Sequence, residues 1–372
     1  MRAGIITFHC SINYGAILQA KALPLVLEDM GIKSEIINYR LPHDIYSHTN
    51  IYERSMNYKV VIKNLIKYVH RKDIMVKLQR FEKFYNEYLP VSKKIYSIID
   101  EFKNLKEYDF LICGSDQIWK PMNGNYLDEV FFLGFTSNAK KISYAPSFGI
   151  DTFPKNLENQ LKILLNDFHA ISVRERSGMS ILTRIVSKSV KQVLDPTLLI
   201  NKERWHTLGN MKYVNGIDDY IVVYALERNR ILRDSVKRLK QMIQLDIYEI
   251  SLDGLARVGN CDHVLYDVGP SEFISLIENA KLVLTNSFHG TAFSIIFEKP
   301  FVSVPHTKSN SRILELLESL NISNRQITSS KLLQKEMLEM SFKYVSAKLE
   351  VLKNNSIMFL KNACGDDDID QY

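Results

Sequence analysis

Ser287, Phe288, His289 and Gly290 stand together between a short apolar run, 282–284, and a segment of small and apolar residues, 291–297. The apolar run reads as a strand buried on both faces. The segment after it reads as a helix ended by Pro300, and 301–304 as the next strand. Thr285, Asn286 and Ser287 favour caps and turns, because their side chains bond nearby backbone. Such a loop lies at the carboxyl end of a parallel strand, where open α/β sheets bind ligands. The helix start offers N–H groups and a positive dipole end to an anion, phosphate above all. His289 in that place can donate to the anion or move protons. The same residues also fit a capped crossover helix carrying an incidental histidine.

Further candidates sit at other strand ends. In GSDQIWKP, 114–121, Asp116 can take a proton or orient a hydroxyl, and Gln117 can bond sugar hydroxyls. Trp119 offers a flat face of the kind sugars stack on. A structural turn capped by Asp116 is the alternative. In the first loop, Asn13, Tyr14 and Gly15 precede a helix start that suits an anion or a sugar hydroxyl. The adjacent His9 and Cys10 fit a thiol nucleophile less well than a packed, satisfied histidine. YAPSFG, 144–149, is a third loop facing the same cleft. Arg174 follows a strand and pairs with Glu175 or touches substrate; Arg312 opens a helix and can clamp a carboxylate or phosphate. Asp195 and Pro196 read as a capped turn that ends a domain.

These loops need a scaffold, and the hydrophobic pattern supplies one. Strand-like runs alternate with helical stretches, which predicts α/β architecture with parallel sheets. Strands are expected at 4–8, 34–38, 109–113, 141–145, 170–173 and 193–196, with a helix over 16–30. A polar, glycine-containing boundary follows at 201–219, then strands at 220–225, 247–250, 264–266, 282–284 and 301–304. The chain reads as helical from about 330 to 360 and ends in an acidic tail. The expected organisation is two Rossmann-like domains facing a cleft, 1–200 and 201–330. A C-terminal helix within 331–372 packs back on the first domain. This is the layout of GT-B glycosyltransferases.

Composition bounds the function. The 372 residues are 46% hydrophobic and 24% charged, as in a globular protein of two domains. The absence of an apolar run of about 18 residues predicts no transmembrane helix. The N-terminus lacks the apolar core of a secretory signal. Four separated cysteines without metal-ligand spacing point to reduced thiols and a cytoplasmic setting. There is no Walker A run, GxGxxG, HExxH or Cys/His cluster, so neither a metal nor a bound cofactor is expected. Between Arg54 and Lys94 eleven Lys or Arg face three acids, an imbalance that suits an anionic surface. Lys59, Lys63, Lys67 and Arg71 share one helical face, which suits the inner face of an anionic membrane or plain solvent. No nucleic-acid module accompanies the aromatics there, so nucleic acid is not an expected partner.

The segments NYGAILQAKAL, DFLICGSDQIW, KKISYAPSFG, ISVRERSG, VLDPTLL and TNSFHGTAFSIIFEKPFVSVP, in this order, resemble the polysaccharide pyruvyl transferase family. The resemblance runs from about residue 3 to 325. It implies a GT-B-like fold and transfer of pyruvate from phosphoenolpyruvate to a bacterial surface polysaccharide, forming a ketal with two sugar hydroxyls. It places His289 at the donor site with Ser287, Phe288 and Gly290. Some relatives carry a basic residue where this chain has Ser287, so the donor clamp here falls to Arg174 or Arg312. In this scheme Asp116 is the base, His289 the acid or phosphate ligand, and Asn13, Tyr14, Gln117 and Trp119 hold a glycan or lipid-linked oligosaccharide acceptor. The rival readings are a GT-B glycosyltransferase using a nucleotide-sugar and a non-catalytic glycan-binding protein of a polysaccharide assembly complex.

Overall fold

The computed structural model describes residues 1–41, 57–105, 108–123, 125–135, 138–306 and 311–365. Arg54, which opens the expected basic region, and the acidic tail beyond Gly365 lie outside the described residues.

Two wholly parallel sheets form the core. The first contains β1 (Arg2–Ile6), β2 (Lys33–Tyr39), β3 (Val91–Tyr96), β4 (Phe110–Cys113), β5 (Lys140–Ser143), β6 (Phe168–Val173) and β7 (Val190–Gln192), in the order β3-β2-β1-β4-β5-β6-β7. The second contains β8 (Tyr220–Tyr224), β9 (Asp246–Ile250), β10 (His263–Leu265), β11 (Leu282–Thr285) and β12 (Phe301–Ser303), in the order β10-β9-β8-β11-β12. Strands β4, β8 and β11 are buried along their whole length, which explains their unbroken apolar sequences. In each sheet the strand order reverses beside the first strand, between β1 and β4 and between β8 and β11. Loops leaving the carboxyl ends of such strands open onto a crevice.

The halves are joined by packing. The Tyr14–Asp29 helix is buried on nearly every face. Tyr14 stacks on Phe273 at 4.7 Å between centroids and donates to Val268 O at 2.9 Å, both in the second half. The Arg71–Tyr88 helix crosses to the carboxyl ends of β9 and β10. There Lys77 Nζ donates to Ser251 O and Leu252 O, each at 2.7 Å, and Arg80 pairs with Asp267. One apolar cluster therefore runs from Ile5 and Ile112 through Tyr14 and Phe81 to Tyr224, Phe273 and Phe293. The Lys343–Cys364 helix lies against the first half: Ser356 Oγ accepts from Leu194 N at 3.0 Å, and Lys140 Nζ donates to Gly365 O.

Four elements depart from the sequence expectation. β3 is an edge strand, largely exposed and basic, so no apolar run marks it. The last strand of the first sheet is 190–192 and not 193–196, because Asp195 caps a short turn instead. The segment 330–342 forms two short 3₁₀ turns and no long helix. Arg325 holds its carbonyls, donating to Met337 O and Glu339 O, while Leu333 is buried against the second sheet. The boundary 201–219 is a packed segment, with Trp205 buried on Phe293 and donating to Thr197 O.

Candidate active site

Both strand-order reversals deliver loops to one place. β11 ends at Thr285, Ser287 caps the Phe288–Ile296 helix by accepting from Gly290 N, and His289 follows within its first turn. Gly290 is needed for close packing, because a Cβ there would lie 2.4 Å from Thr285 Oγ1. From the first half, Asn13 caps the Tyr14–Asp29 helix by accepting from Gly15 N and Ala16 N. Gly15 forms the floor on which the His289 ring rests: a Cβ would stand 2.0 Å from His289 Nδ1. Two helix N-termini thus converge on one histidine, and both positive dipole ends point into the site.

Beyond β4 the chain turns through Gly114, whose φ of +127° and 1.9 Å approach of a Cβ to Tyr144 O admit no side chain. Asp116 follows in the left-handed region, with φ +66°. Its Oδ1 lies 3.6 Å from Arg174 Nη2. Arg174 is the hub: Nη1 donates to Asp195 Oδ2 at 2.6 Å and Nε to Glu175 Oε1 at 3.3 Å. Its guanidinium lies 4.8 Å from the centre of the Phe288 ring. Burial disfavours the Arg174 charge, but Glu175, Asp195 and Asp116 outweigh it and hold its pKa above the ordinary range. Asp195 also accepts from Thr197 N and Oγ1, at 3.0 and 2.7 Å. Burial pushes the Asp195 carboxyl up, yet His289, Arg174 and Thr197 together bring it well below the usual range. The 3.8 Å from His289 Nε2 to Asp195 Oδ2 is a charge contact and no hydrogen bond.

Three buried polar atoms in this cluster have no hydrogen-bond partner: Arg174 Nη2, Glu175 Oε2 and His289 Nε2. Leaving such an atom unmatched costs about 1–3 kcal/mol, a penalty that a polar ligand would relieve. Arg312 completes the arrangement, with Nε 4.0 Å from Glu175 Oε1. Burial, then Arg174, draws its pKa down. Turned with its oxygen toward Arg312, the Gln117 amide accepts from Nη1 at 2.8 Å and Nη2 at 2.5 Å. A cavity of ≈ 130 Å³ adjoins the cluster, with Arg174, Arg176, Arg312, Asp195 and Phe288 in its wall. Among the described residues no group of His, Cys, Asp and Glu could hold a metal ion.

The structure thus brings together His289, Ser287, Phe288, Gly290, Arg174, Arg312, Asp116 and Gln117, with Asn13 as the cap beneath the histidine. It does not bring the two expected aromatic contacts to the crevice. Trp119 is fully buried, stacked on Phe132 at 5.1 Å and donating to Phe131 O, so its face is taken. Tyr14 is fully buried between the halves. His9 is also a buried packing residue, placed between Thr7 O and Asn38 Oδ1. Sequence reasoning missed the second role of Asp195. Its only sequence mark was an aspartate before proline, which signals a cap.

A family model described as polysaccharide pyruvyl transferase matches residues 13–308. No curated protein matches the chain. Among solved structures, a Listeria monocytogenes protein assigned as a UDP-N-acetylglucosamine 2-epimerase is 11% identical, with TM-score 0.51, over 98% of this chain and 92% of that one. A Methanocaldococcus jannaschii UDP-GlcNAc 2-epimerase in complex with UDP-GlcNAc and UDP is 16% identical, with TM-score 0.45, over 94% and 93%. The glycosyltransferase SnogD of Streptomyces nogalater is 12% identical, with TM-score 0.42, over 98% and 100%. At such identities the likeness is one of fold, and the fold is GT-B-like.

Proposed function

The chain belongs to the polysaccharide pyruvyl transferase family, and from that premise we propose that it moves pyruvate from phosphoenolpyruvate to a glycan, closing a ketal on two sugar hydroxyls. The observation that carries this reading is His289, buried with an unmatched Nε2 between two helix starts and facing the Asp195 carboxylate that it shares with Arg174. Ketal formation needs a proton at the methylene carbon of the donor, and His289 is the group assigned to deliver it. The adjacent carbon then gains cationic character, and a sugar hydroxyl adds there as Asp116 takes its proton. The carbon–oxygen bond to phosphate breaks and phosphate leaves with the electron pair. A second hydroxyl adds to the same carbon, gives up its proton and closes the ring.

The donor is an anion, and the cluster must tolerate it. Three carboxylates (Asp116, Glu175, Asp195) face two guanidiniums (Arg174, Arg312), a sum of −1 with neutral His289 and 0 with protonated His289. Protonated His289 and the two helix starts therefore favour the donor electrostatically. The carboxylates fix the arginine forks in direction. Gln117, held against Arg312, acts in this scheme by orienting that arginine. The acceptor in this reading is a glycan, free or as a lipid-linked oligosaccharide at the inner face of a membrane.

Calorimetry with phosphoenolpyruvate and a panel of nucleotide-sugars tests the donor, using the native chain and His289→Ala. Phosphoenolpyruvate binding that the substitution weakens is the expected result. Binding of a nucleotide-sugar alone would move the protein to glycosyl transfer. Binding of a glycan with no turnover would leave a glycan-binding protein.

A further inference from the structure

The Tyr58–Val69 helix is built the wrong way round for a globular protein. Its apolar residues Tyr58, Val61, Ile62, Leu65 and Val69 follow the spacing of a single helical face. That face points outward: these side chains are 67, 55, 55, 64 and 69% exposed. The opposite side is the anchored one. Lys67 is buried beside Gly254, and in the next helix Ile74 packs on the same glycine. Sequence reasoning expected the lysine face to be the exposed one, with Lys67 in it. The fold turns Lys67 inward and presents the apolar stripe, which Tyr68, Met75 and Val76 extend at 53, 45 and 36% exposure.

An exposed apolar stripe of this size marks an interaction site. Its rim identifies the occupant. Lys59, Lys63, Arg71 and Lys72 are exposed around it, and among the described residues 57–76 of the two helices Asp73 is the one acid. A second copy of the chain would set these cations against each other. An anionic lipid surface meets both features, taking the apolar side chains below the headgroups and the cations among them. No described helix is long and apolar enough to cross a membrane, so the contact lies in the interface.

We infer that this helix is a membrane-docking element that seats the protein on anionic lipid through Tyr58, Val61, Ile62, Leu65 and Val69. The patch leads directly into the Arg71–Tyr88 helix, which joins both halves beside the crevice. Docking therefore fixes the crevice relative to the lipid surface. The inference adds a partner surface to the transferase reading, and only its consequence, delivery of a lipid-linked acceptor, rests on that reading.

Co-sedimentation with vesicles of phosphatidylglycerol and phosphatidylcholine tests it, set against vesicles of phosphatidylcholine alone. The native chain should bind the anionic vesicles and release them as salt rises. The Val61→Ser, Leu65→Ser, Val69→Ser triple variant should lose about tenfold or more in partitioning. All three positions are exposed, so its melting temperature should stay at the native value. Lys59→Glu with Lys63→Glu should weaken binding to anionic vesicles alone. Native-level partitioning of the triple variant, or no native binding to anionic vesicles, would overturn the inference. A native dimer that the triple variant dissolves would overturn it too, by assigning the face to a second copy. His289→Ala should bind vesicles like the native chain, so loss of transfer chemistry and loss of docking are separable.

Discussion

The two helix starts that meet at the crevice, Asn13–Gly15 from the first half and Ser287–Gly290 from the second, share a design and differ in what they carry. Each follows the carboxyl end of a strand at an order reversal, and each is capped by a side chain, Asn13 or Ser287. Each also contains a glycine that lets something approach closely. Gly290 admits Thr285, from its own half, whereas Gly15 admits His289 from the other half. One glycine therefore serves the internal fit of a domain, and the other serves the seating of His289 across the two halves. Identical local architecture gives no hint of this division; the partner behind each missing Cβ decides it.

Substitution at the two glycines should separate the roles. Gly15→Ala should turn the His289 ring away and lower transfer by roughly 10²-fold, with the melting temperature close to native. Steady-state rates beside a thermal scan measure this, and full activity would show that the ring needs no floor. Gly290→Ala presses on Thr285, whose Oγ1 donates to Tyr224 O and accepts from Ser287 N. It should destabilise by about 1–3 kcal/mol, read by urea unfolding, before any effect on the histidine.

Smaller changes probe how the first helix start is docked. Tyr14→Phe removes one donor from Val268 O and should cost about 1 kcal/mol of stability. It should leave the acceptor KM unchanged, because the ring is buried. A raised acceptor KM would return Tyr14 to the acceptor site. Lys77 lies 5.2 Å from the centre of the Tyr14 ring, and burial pushes its ammonium down to about 7. Asp253 and Asp267 oppose that shift, and Arg257 adds to it. The unfolded lysine titrates near 10.4, so above pH 7 the unfolded chain binds a proton that the folded chain has released. Stability should therefore rise with pH from about 7 toward 10. Thermal scans at pH 7 and pH 9 should show this slope in the native chain, and Lys77→Met should flatten it.

The elements that hold these features were largely legible. Parallel strands buried on both faces, such as β8 and β11, announce themselves as continuous apolar runs. The SFHG loop stands out because a histidine at a capped helix start after a parallel strand suits an anion site, although a plain crossover helix fits the same residues. What stayed hidden was pairing between residues distant in the chain. Nothing in the sequence ties Asp195 to Arg174 and His289, or Gly15 to His289, because those contacts exist only once the halves are docked. Trp119 misled for a related reason: an indole at a strand end suits a sugar or a core equally, and Phe132 claimed it. The four-residue spacing of Lys59, Lys63, Lys67 and Arg71 marks a charged face of the basic helix, and only the packing of Lys67 shows which face is outermost.

The seating of His289 on a glycine from the other half has a consequence for the way the site is inherited. Neither half holds the whole cluster: one owns the histidine and the other its floor and the Arg174–Asp195 pair. Parting the halves would take the histidine off its floor and open the apolar cluster that runs through both. Substitutions at residue 15 and residue 289 would then have to change together, as parts of one device divided between two domains.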